Sequence, residues 1–270
     1  MSPWQSILWG LVQGATEFLP VSSSGHLVLI PWFLGWPAPG LAFDAFLHLG
    51  TLVAVFIYFR REVGGLIVGW WHSVRAHKIE TAEGRLAWLI LLSAIPGGLV
   101  GYLAGDWFEA LFASPRAVSL LLLVTGGILF VGERLGERRV TLAELRWPDA
   151  LLIGLAQACA VAPGISRSGA TIAAGLGRGL RRDDATRFSF LMGLPLIAGA
   201  ALQQLAKMLS QGLGEGGALA LGLGFGAALL SGYGAILLFL RHVRNRSLYP
   251  FAYYCWTVGL LGLALAWLRG

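Results

Sequence analysis

The sequence predicts an all-α polytopic membrane protein, with six transmembrane helices and two re-entrant helical hairpins arranged as an inverted-topology repeat. Three observations lead there. Of its 270 residues, 56% are hydrophobic and only 13% charged, where a soluble globular domain carries about 25% charged residues. The mean hydropathy is +0.70. Finally, two apolar segments are broken in their middles by Pro, Ser and Gly, and the two breaks resemble each other.

Six runs are long and apolar enough to span: Phe43–Phe59, Leu86–Gly105, Ala117–Gly132, Phe188–Lys207, Gly217–Leu240 and Leu248–Leu268. A membrane helix needs roughly 17–25 mostly apolar residues. The 38 glycines suit close helix packing in lipid, where small residues let backbones approach. The alternating segments of a strand barrel are absent. No cleavable signal peptide is evident, because the first residues lack a basic region and a small-residue cleavage site. Cys159 and Cys255 lie in apolar segments and read as small buried apolar residues. The net charge of +6 sits in short loops without aromatic interleaving, a pattern of membrane orientation that excludes a nucleic-acid partner.

The broken segments are Trp4–Trp36 and Asp149–Gly179. Each has two apolar halves too short to cross a bilayer alone, which fits a re-entrant hairpin. The breaks align at a constant offset without gaps. Gly10 falls on Gly154, Leu11 on Leu155, Gln13 on Gln157, Ser22 on Ser166, Ser24 on Ser168 and Gly25 on Gly169, and Phe46-Leu47 falls on Phe190-Leu191. The chain therefore divides into a first repeat, residues 1–133, and a second, residues 148–270, each a hairpin followed by three spans. Three spans end on the opposite face, so the second repeat is inverted, an arrangement that brings broken helices together near the midplane.

The charges agree with that count. Arg60, Arg61, Arg75, Lys78 and Arg85 fall on one side, with Arg134, Arg138, Arg139 and Arg146, then Arg178, Arg181, Arg182 and Arg187, and finally Arg241, Arg244 and Arg246. Arg116, Lys207 and Arg269 fall on the other, and Arg167 lies inside the second hairpin. By the positive-inside rule the basic side is cytoplasmic, which puts both termini and the mouth of the first hairpin outside. Gly64–His77, with Trp70 and Trp71, reads either as an interfacial segment along the cytoplasmic surface or as a loop anchored by its tryptophans.

Ionisable groups at membrane depth cost roughly 2.5–3.5 kcal/mol on insertion scales, so the few present need a reason. Glu17 follows Gln13 by four residues and shares its helix face. Beyond Pro20, Ser22, Ser23 and Ser24 open a new helix as N-cap residues, and a helix N-terminus favours phosphate. His26 follows Ser22 by four and Ser23 by three, within reach of a hydroxyl as a base requires. In the second break, Ser166-Arg167-Ser168-Gly169-Ala170-Thr171 adds a guanidinium whose planar fork matches phosphate. Two half-helix N-termini, Arg167 and these Ser and Thr donors form an anion cradle, and a nearby Glu and His point to phosphoryl transfer. Each residue has a structural reading as well. The serines satisfy their own backbone, Arg167 pairs with Glu17, and His26 is a hydrogen-bonded interior residue. His48, mid-span, reads as packing or as bonded to a neighbour, and Asp44 and Asp149 as helix N-caps.

The stretch Gln13-Gly14-Ala15-Thr16-Glu17-Phe18-Leu19-Pro20-Val21-Ser22-Ser23-Ser24-Gly25-His26 resembles the signature of bacterial undecaprenyl-diphosphate phosphatases of the bacitracin-resistance type. Pro163-Gly164-Ile165-Ser166-Arg167-Ser168-Gly169-Ala170-Thr171 resembles that family's second signature, and the likeness runs across nearly the whole chain. It implies hydrolysis of undecaprenyl diphosphate to the monophosphate at the outer face of the cytoplasmic (inner) membrane, recycling a peptidoglycan lipid carrier and giving bacitracin resistance. It also implies a divalent cation, Mg²⁺ or Ca²⁺. Glu17, Ser23, His26 and Arg167 match the family's catalytic positions. Gln13, Ser22, Ser24, Ser166, Ser168, Gly169 and Thr171 match its substrate-binding signatures, with Glu17 as the metal ligand. Gln13 stands where many members have Glu, so a two-carboxylate metal site is not expected; Glu17 and substrate phosphates would do most of the ligation. Two mechanisms stay open: attack by Ser23 with His26 as base, or attack by water activated by Glu17 or metal. The expected partners are the polyprenyl diphosphate lipid and membrane lipids, and a homodimer is left open. A transporter of the monophosphate lipid is the alternative from another class, since inverted repeats are a transporter architecture. Ser24-Gly25-His26 imitates one element of the other membrane lipid-phosphatase family, whose remaining elements are missing.

Overall fold

The computed structural model describes residues 2–37, 39–211 and 217–269, with the backbone alone for 41–42, 106, 109 and 204–211. Lys207, assigned above to the less basic side, therefore has its side chain outside the described residues. The described chain is all-helical, with one isolated bridge between Val140 and Leu180 and no strand. The helices are α1 (Pro3–Phe18), α2 (Ser23–Leu34), α3 (Leu41–Tyr58), α4 (Arg60–Ala76), α5 (Ala82–Phe112), α6 (Pro115–Leu135), α7 (Trp147–Cys159), α8 (Arg167–Gly177), α9 (Arg182–Gln211), α10 (Gly217–Asn245) and α11 (Tyr249–Leu268).

The two broken segments each become a pair of short helices. Pro3 and the Ser2–Gln5 capping box start α1. It stops at Phe18, because Pro20 disfavours a helical Leu19, which is extended. The Ser22 side chain then accepts from Gly25 N–H to open α2, and Gly35, in the left-handed region at φ 66°, closes it. Helix α7 opens on Pro148 and Asp149, whose carboxylate accepts from Arg146 N–H, and gives way before Pro163 and Gly164. The Ser166 side chain caps α8 by accepting from Gly169 N–H at 3.0 Å. With 16, 12, 13 and 11 residues, at about 1.5 Å of rise per residue, none of the four matches the length of a full span. Helix α1 packs on α2, and α7 on α8.

Among the described residues, five helices are long and apolar enough to cross a membrane: Ala82–Gly105, Pro115–Leu135, Arg182–Gln203, Gly217–Asn245 and Tyr249–Leu268. They coincide with five of the six expected runs and extend past them where polar residues continue the helix. The sixth, Phe43–Phe59, is helical as α3, but its apolar stretch Phe43–Tyr58 ranks among the shorter apolar helices. The Gly64–His77 stretch is no loop. It lies within α4, which ends where His77 turns left-handed at φ 50°. That helix buries Val63, Leu66, Gly69 and Ser73 and exposes Ile67, Val68 and Trp71.

The largest packing interfaces join α1 to α10, α6 to α11, α3 to α10 and α5 to α7, followed by α4 to α5 and α3 to α9. Close approach explains two glycines. A Cβ on Gly10 would strike the Gly224 carbonyl of α10, and one on Gly154 would strike the backbone of Ser93 in α5. Beneath the first break, Phe18, Phe59, Phe190 and Phe239 form a buried aromatic cluster joining α1, α3, α9 and α10. At the basic end, buried Glu133 accepts from Arg138, Arg182 and Leu248 N–H, tying α6 to the starts of α9 and α11. Cys255 is buried as expected, but Cys159 is exposed, because it ends α7 on the side turned from α5 and α8. Both thiols are free.

Substituting Gly154→Val should destabilise the fold by about 1–3 kcal/mol, the usual cost of overpacking, because α7 must move away from Ser93. Gly127→Ala, where nothing lies within 4 Å of an added Cβ, should be neutral or slightly stabilising. Unfolding in mixed detergent micelles compares the two.

Candidate active site

The two breaks meet. Ser168 Oγ, in the first turn of α8, donates to the carbonyl of Leu19 at 3.1 Å. Neighbouring helices supply what the broken backbones lack. Thr125 of α6 donates to the Gly164 carbonyl at 2.8 Å and accepts from Ser166 N–H at 3.0 Å. Cys255 of α11 donates to the Pro20 carbonyl at 3.7 Å. Buried non-helical backbone needs partners of this kind.

Glu17 stands at the junction and is almost wholly buried. Its Oε1 accepts from Arg167 Nη2 at 3.0 Å. Its Oε2 accepts from Gln13 Nε2 at 3.0 Å and from Ser23 Oγ at 2.7 Å. Four of the residues singled out in the sequence, 13, 17, 23 and 167, thus form one hydrogen-bonded cluster drawn from both breaks. Arg167 is held on its other side by the Ser189 carbonyl of α9 at 3.2 Å. Thr171 bonds the hydroxyl of the same Ser189 at 2.6 Å and the Arg167 carbonyl at 2.7 Å. Ser22 and Ser24 lie 3.2 Å apart at the cap of α2, and Ser166 and Ser168 lie 3.1 Å apart at the cap of α8. A Cβ on Gly169 would press on the Ser166 side chain at 3.0 Å.

His26 is placed differently from expectation. It bonds neither the Ser22 nor the Ser23 hydroxyl. Its Nδ1 meets the Ser22 carbonyl at 2.8 Å and its Nε2 meets the Tyr254 hydroxyl at 2.7 Å. The base in contact with Ser23 is Glu17. The i, i+4 spacing accounts for the difference, since it brings the ring onto the N-cap carbonyl. Asp149 caps α7 as expected and also pairs with Arg178 at 2.7 Å. Asp44 lies in the first turn of α3, but it makes no capping bond and its buried Oδ1 has no partner among the described residues.

The sequence undervalued His48. Its Nδ1 bonds the Asp44 carbonyl at 2.8 Å, and its Nε2 faces Glu17 Oε2 at 3.6 Å, with the side chain 32% exposed. A lone imidazole inside an apolar helix was its only signal. Ser189 and Tyr254 had none. Each acts across the fold, and Ser189 holds Arg167 through a carbonyl that any residue would provide.

A buried carboxylate touching a serine hydroxyl, beside an arginine and two serine-capped helix N-termini, fits the binding of a phosphate and transfer of its phosphoryl group to oxygen. Removing one charge strands the other. Arg167→Ala should cost about 3–5 kcal/mol in stability. Adding Glu17→Gln to it should recover part of that loss, so the double variant loses less than the sum of the singles in the same unfolding assay.

Residues 6–261 match the family model described as bacitracin resistance protein BacA. Among curated proteins, the chain is 43% identical to the undecaprenyl-diphosphatase of Desulforudis audaxviator over the whole of both chains. It is 45% identical to that of Rubrobacter xylanophilus over 97% of each, and 41% identical to that of Moorella thermoacetica over the whole of both. With both sequence signatures meeting at one buried cluster and the likeness spanning its full length, the chain belongs to the bacitracin resistance protein BacA family.

Proposed function

We propose that this protein hydrolyses undecaprenyl diphosphate to undecaprenyl phosphate and inorganic phosphate at the outer face of the bacterial cytoplasmic membrane, returning the lipid carrier to peptidoglycan synthesis and giving bacitracin resistance. The observation that carries the reading is the contact of Glu17 with both Ser23 and Arg167. The polyprenyl tail stays among the apolar helices while the diphosphate enters between the breaks. Its terminal phosphate competes with Glu17 for the guanidinium, which Ser189 keeps in place. Ser23 Oγ attacks the terminal phosphorus as its proton passes to Glu17 Oε2. The bond from phosphorus to the bridging oxygen breaks, and the lipid monophosphate leaves. Water then attacks the phosphoserine while a proton passes to His26 Nε2, one helical turn from Ser23; the bond from phosphorus to Ser23 Oγ breaks, Ser23 takes its proton back from Glu17, and inorganic phosphate leaves. Arg167 and the N–H groups opening α2 and α8 hold the developing charge.

A divalent cation fits this chemistry through oxygen ligands. Gln13 Oε1 is buried and has no hydrogen-bond partner, and it lies on the side chain already bonded to Glu17. No three His, Cys, Asp or Glu side chains among the described residues could hold a metal together. Glu17 and Gln13 would therefore share Mg²⁺ or Ca²⁺ with the substrate phosphates, and the cation would neutralise diphosphate charge.

The topology belongs to the same proposal: six spans including α3, two re-entrant pairs (α1–α2 and α7–α8), and both termini outside. The shortness of the four half-helices supports it, as does the packing. Aligning α1 with α7, α3 with α9, α5 with α10 and α6 with α11 maps the α1–α10 interface onto α7–α5, and α3–α10 onto α9–α5, while α6–α11 and α3–α9 map onto themselves. That is the pattern of repeats 1–133 and 148–270 related by a two-fold axis in the membrane plane.

Purified protein in detergent should release phosphate from undecaprenyl diphosphate, and a chelator should lower the rate. Arg167→Ala should lose on the order of 10²–10³-fold in kcat. Ser23→Ala should be inactive, and acid quenching of wild type should trap phospho-Ser23. Turnover by Ser23→Ala near the wild-type rate would leave direct attack by water, and no phosphate release by wild type would leave a lipid transporter. Gly193→Ala is a subtler check. A Cβ there would displace the Arg167 guanidinium and not backbone, so kcat should fall about tenfold or more with little loss of stability.

A further inference from the structure

The strongest feature not used so far is the grip of α11 on α2. Tyr254, on α11, is 44% exposed, while the imidazole it bonds belongs to a residue only 5% exposed. The two rings lie nearly parallel, with centroids 5.6 Å apart and planes inclined by 6°, and the hydroxyl is 2.7 Å from His26 Nε2. The next residue, Cys255, bonds the Pro20 carbonyl. At the far end of α11, Arg269 donates to the Trp32 and Phe33 carbonyls that finish α2. Side chains of α11 and of Arg269 just beyond it thus reach the half-helix that carries Ser23 and His26 near its start and at its end.

The bonding fixes a protonation pattern. The Ser22 carbonyl only accepts, so Nδ1 carries the hydrogen. In the neutral ring Nε2 is then an acceptor, and the tyrosine hydroxyl donates to it. The partner of one ring nitrogen decides what the other can do. We propose that Tyr254 is a proton relay for the reaction: the Ser22 carbonyl holds His26 in the Nδ1–H tautomer, and the tyrosine hydroxyl passes its hydrogen to the single Nε2 lone pair as it accepts one from the attacking water. The inference rests on the phosphatase reading above and adds to it a residue from the far end of the chain. Without the hydroxyl, the ring keeps its bond to Ser22 but loses the second bond that fixes its plane. Water then has no hydroxyl through which to hand its proton to the buried ring, while the diphosphate cradle of Glu17, Arg167 and Ser23 is untouched. The effect therefore falls on turnover and spares substrate binding.

The test compares wild type, Tyr254→Phe and, as a control on the same helix, Tyr253→Phe, all as full-length protein in detergent with undecaprenyl diphosphate. Tyr254→Phe should lower kcat on the order of tenfold or more, as lost partners of functional histidines typically do, with KM within about twofold of wild type and unchanged thermal unfolding. Tyr253→Phe should match wild type. In proteins carrying ¹⁵N-histidine, the His26 signals, assigned by their loss in His26→Gln, should report Nδ1–H in both proteins, with the Nε2 signal displaced in Tyr254→Phe by loss of its donor. A Tyr254→Phe variant with wild-type kcat would overturn the proposal. So would a slowed variant whose His26 signals match wild type, because the defect would not then run through the imidazole. An inactive wild type would remove the phosphatase reading itself, which separates that failure from failure of the tyrosine's role.

Discussion

The contact between Arg167 and Glu17 joins residues from two separate helix breaks, and the site depends on it. Either charge alone, buried at this depth, would be expensive. Together, at 3.0 Å, they compensate each other, and each gains a second anchor: Ser189 for the guanidinium, Gln13 and Ser23 for the carboxylate. The pair therefore selects the arrangement in which the breaks touch. It also gives the site a resting state. The arginine is satisfied without ligand, so a phosphate must offer it more than one carboxylate oxygen does. A terminal phosphate with three oxygens, able to accept from several donors at once, can do so, whereas a singly charged ion accepting few bonds cannot.

The breaks hand several of their freed backbone groups to side chains. Proline ends the first half of each pair, and a serine hydroxyl starts the second, in both cases by accepting from the N–H three residues on. Ser22 carries strain for this, since its φ of 68° lies in a region that non-glycine residues seldom occupy. The equivalent turn in the second pair puts the positive φ on Gly164 at 101°, where it costs little, and Gly164 sits so close to α6 that a Cβ would strike the Val118 carbonyl. The strained serine belongs to the pair that also carries Ser23 and His26, and strain of this kind tends to collect at functional positions.

What was legible in the sequence followed from local rules. The i, i+4 relation of Gln13 and Glu17 survived as a hydrogen bond, and of the serines Ser22 and Ser166 became caps, while many of the basic residues expected in loops lie within helices. Interactions across the fold were not legible. Ser189 contributes a carbonyl, Gly193 contributes room, and Tyr254 lies 228 positions from its histidine, so none leaves a mark in a window of neighbouring residues. His26 shows the limit of spacing arguments. Four residues after Ser22 is close enough for the side-chain hydroxyl, but the backbone carbonyl at the same position is a fixed acceptor and takes the bond. The Gly64–His77 stretch left its state open because its glycines weaken helix propensity, while packing of Val63 and Leu66 against the core decides in favour of helix.

The same register that places Ser22 on Ser166 places Glu17 on Val161, Ser23 on Arg167 and His26 on Ala170. The capping frame is shared by the two breaks, but the chemistry is divided between them. One carries carboxylate, hydroxyl and imidazole, and the other carries the guanidinium, with apolar Val161 and Ala170 at the remaining two positions. A symmetric pair would bring two carboxylates or two guanidiniums together, and like charges at that depth would drive the breaks apart. Divergence at these three positions turns mutual repulsion into attraction. It also commits the site to one face, because only the first break has a nucleophile and a base. A chain built from two similar halves thus ends with a single site, and the asymmetry that makes the site reactive is also what lets the halves close on each other.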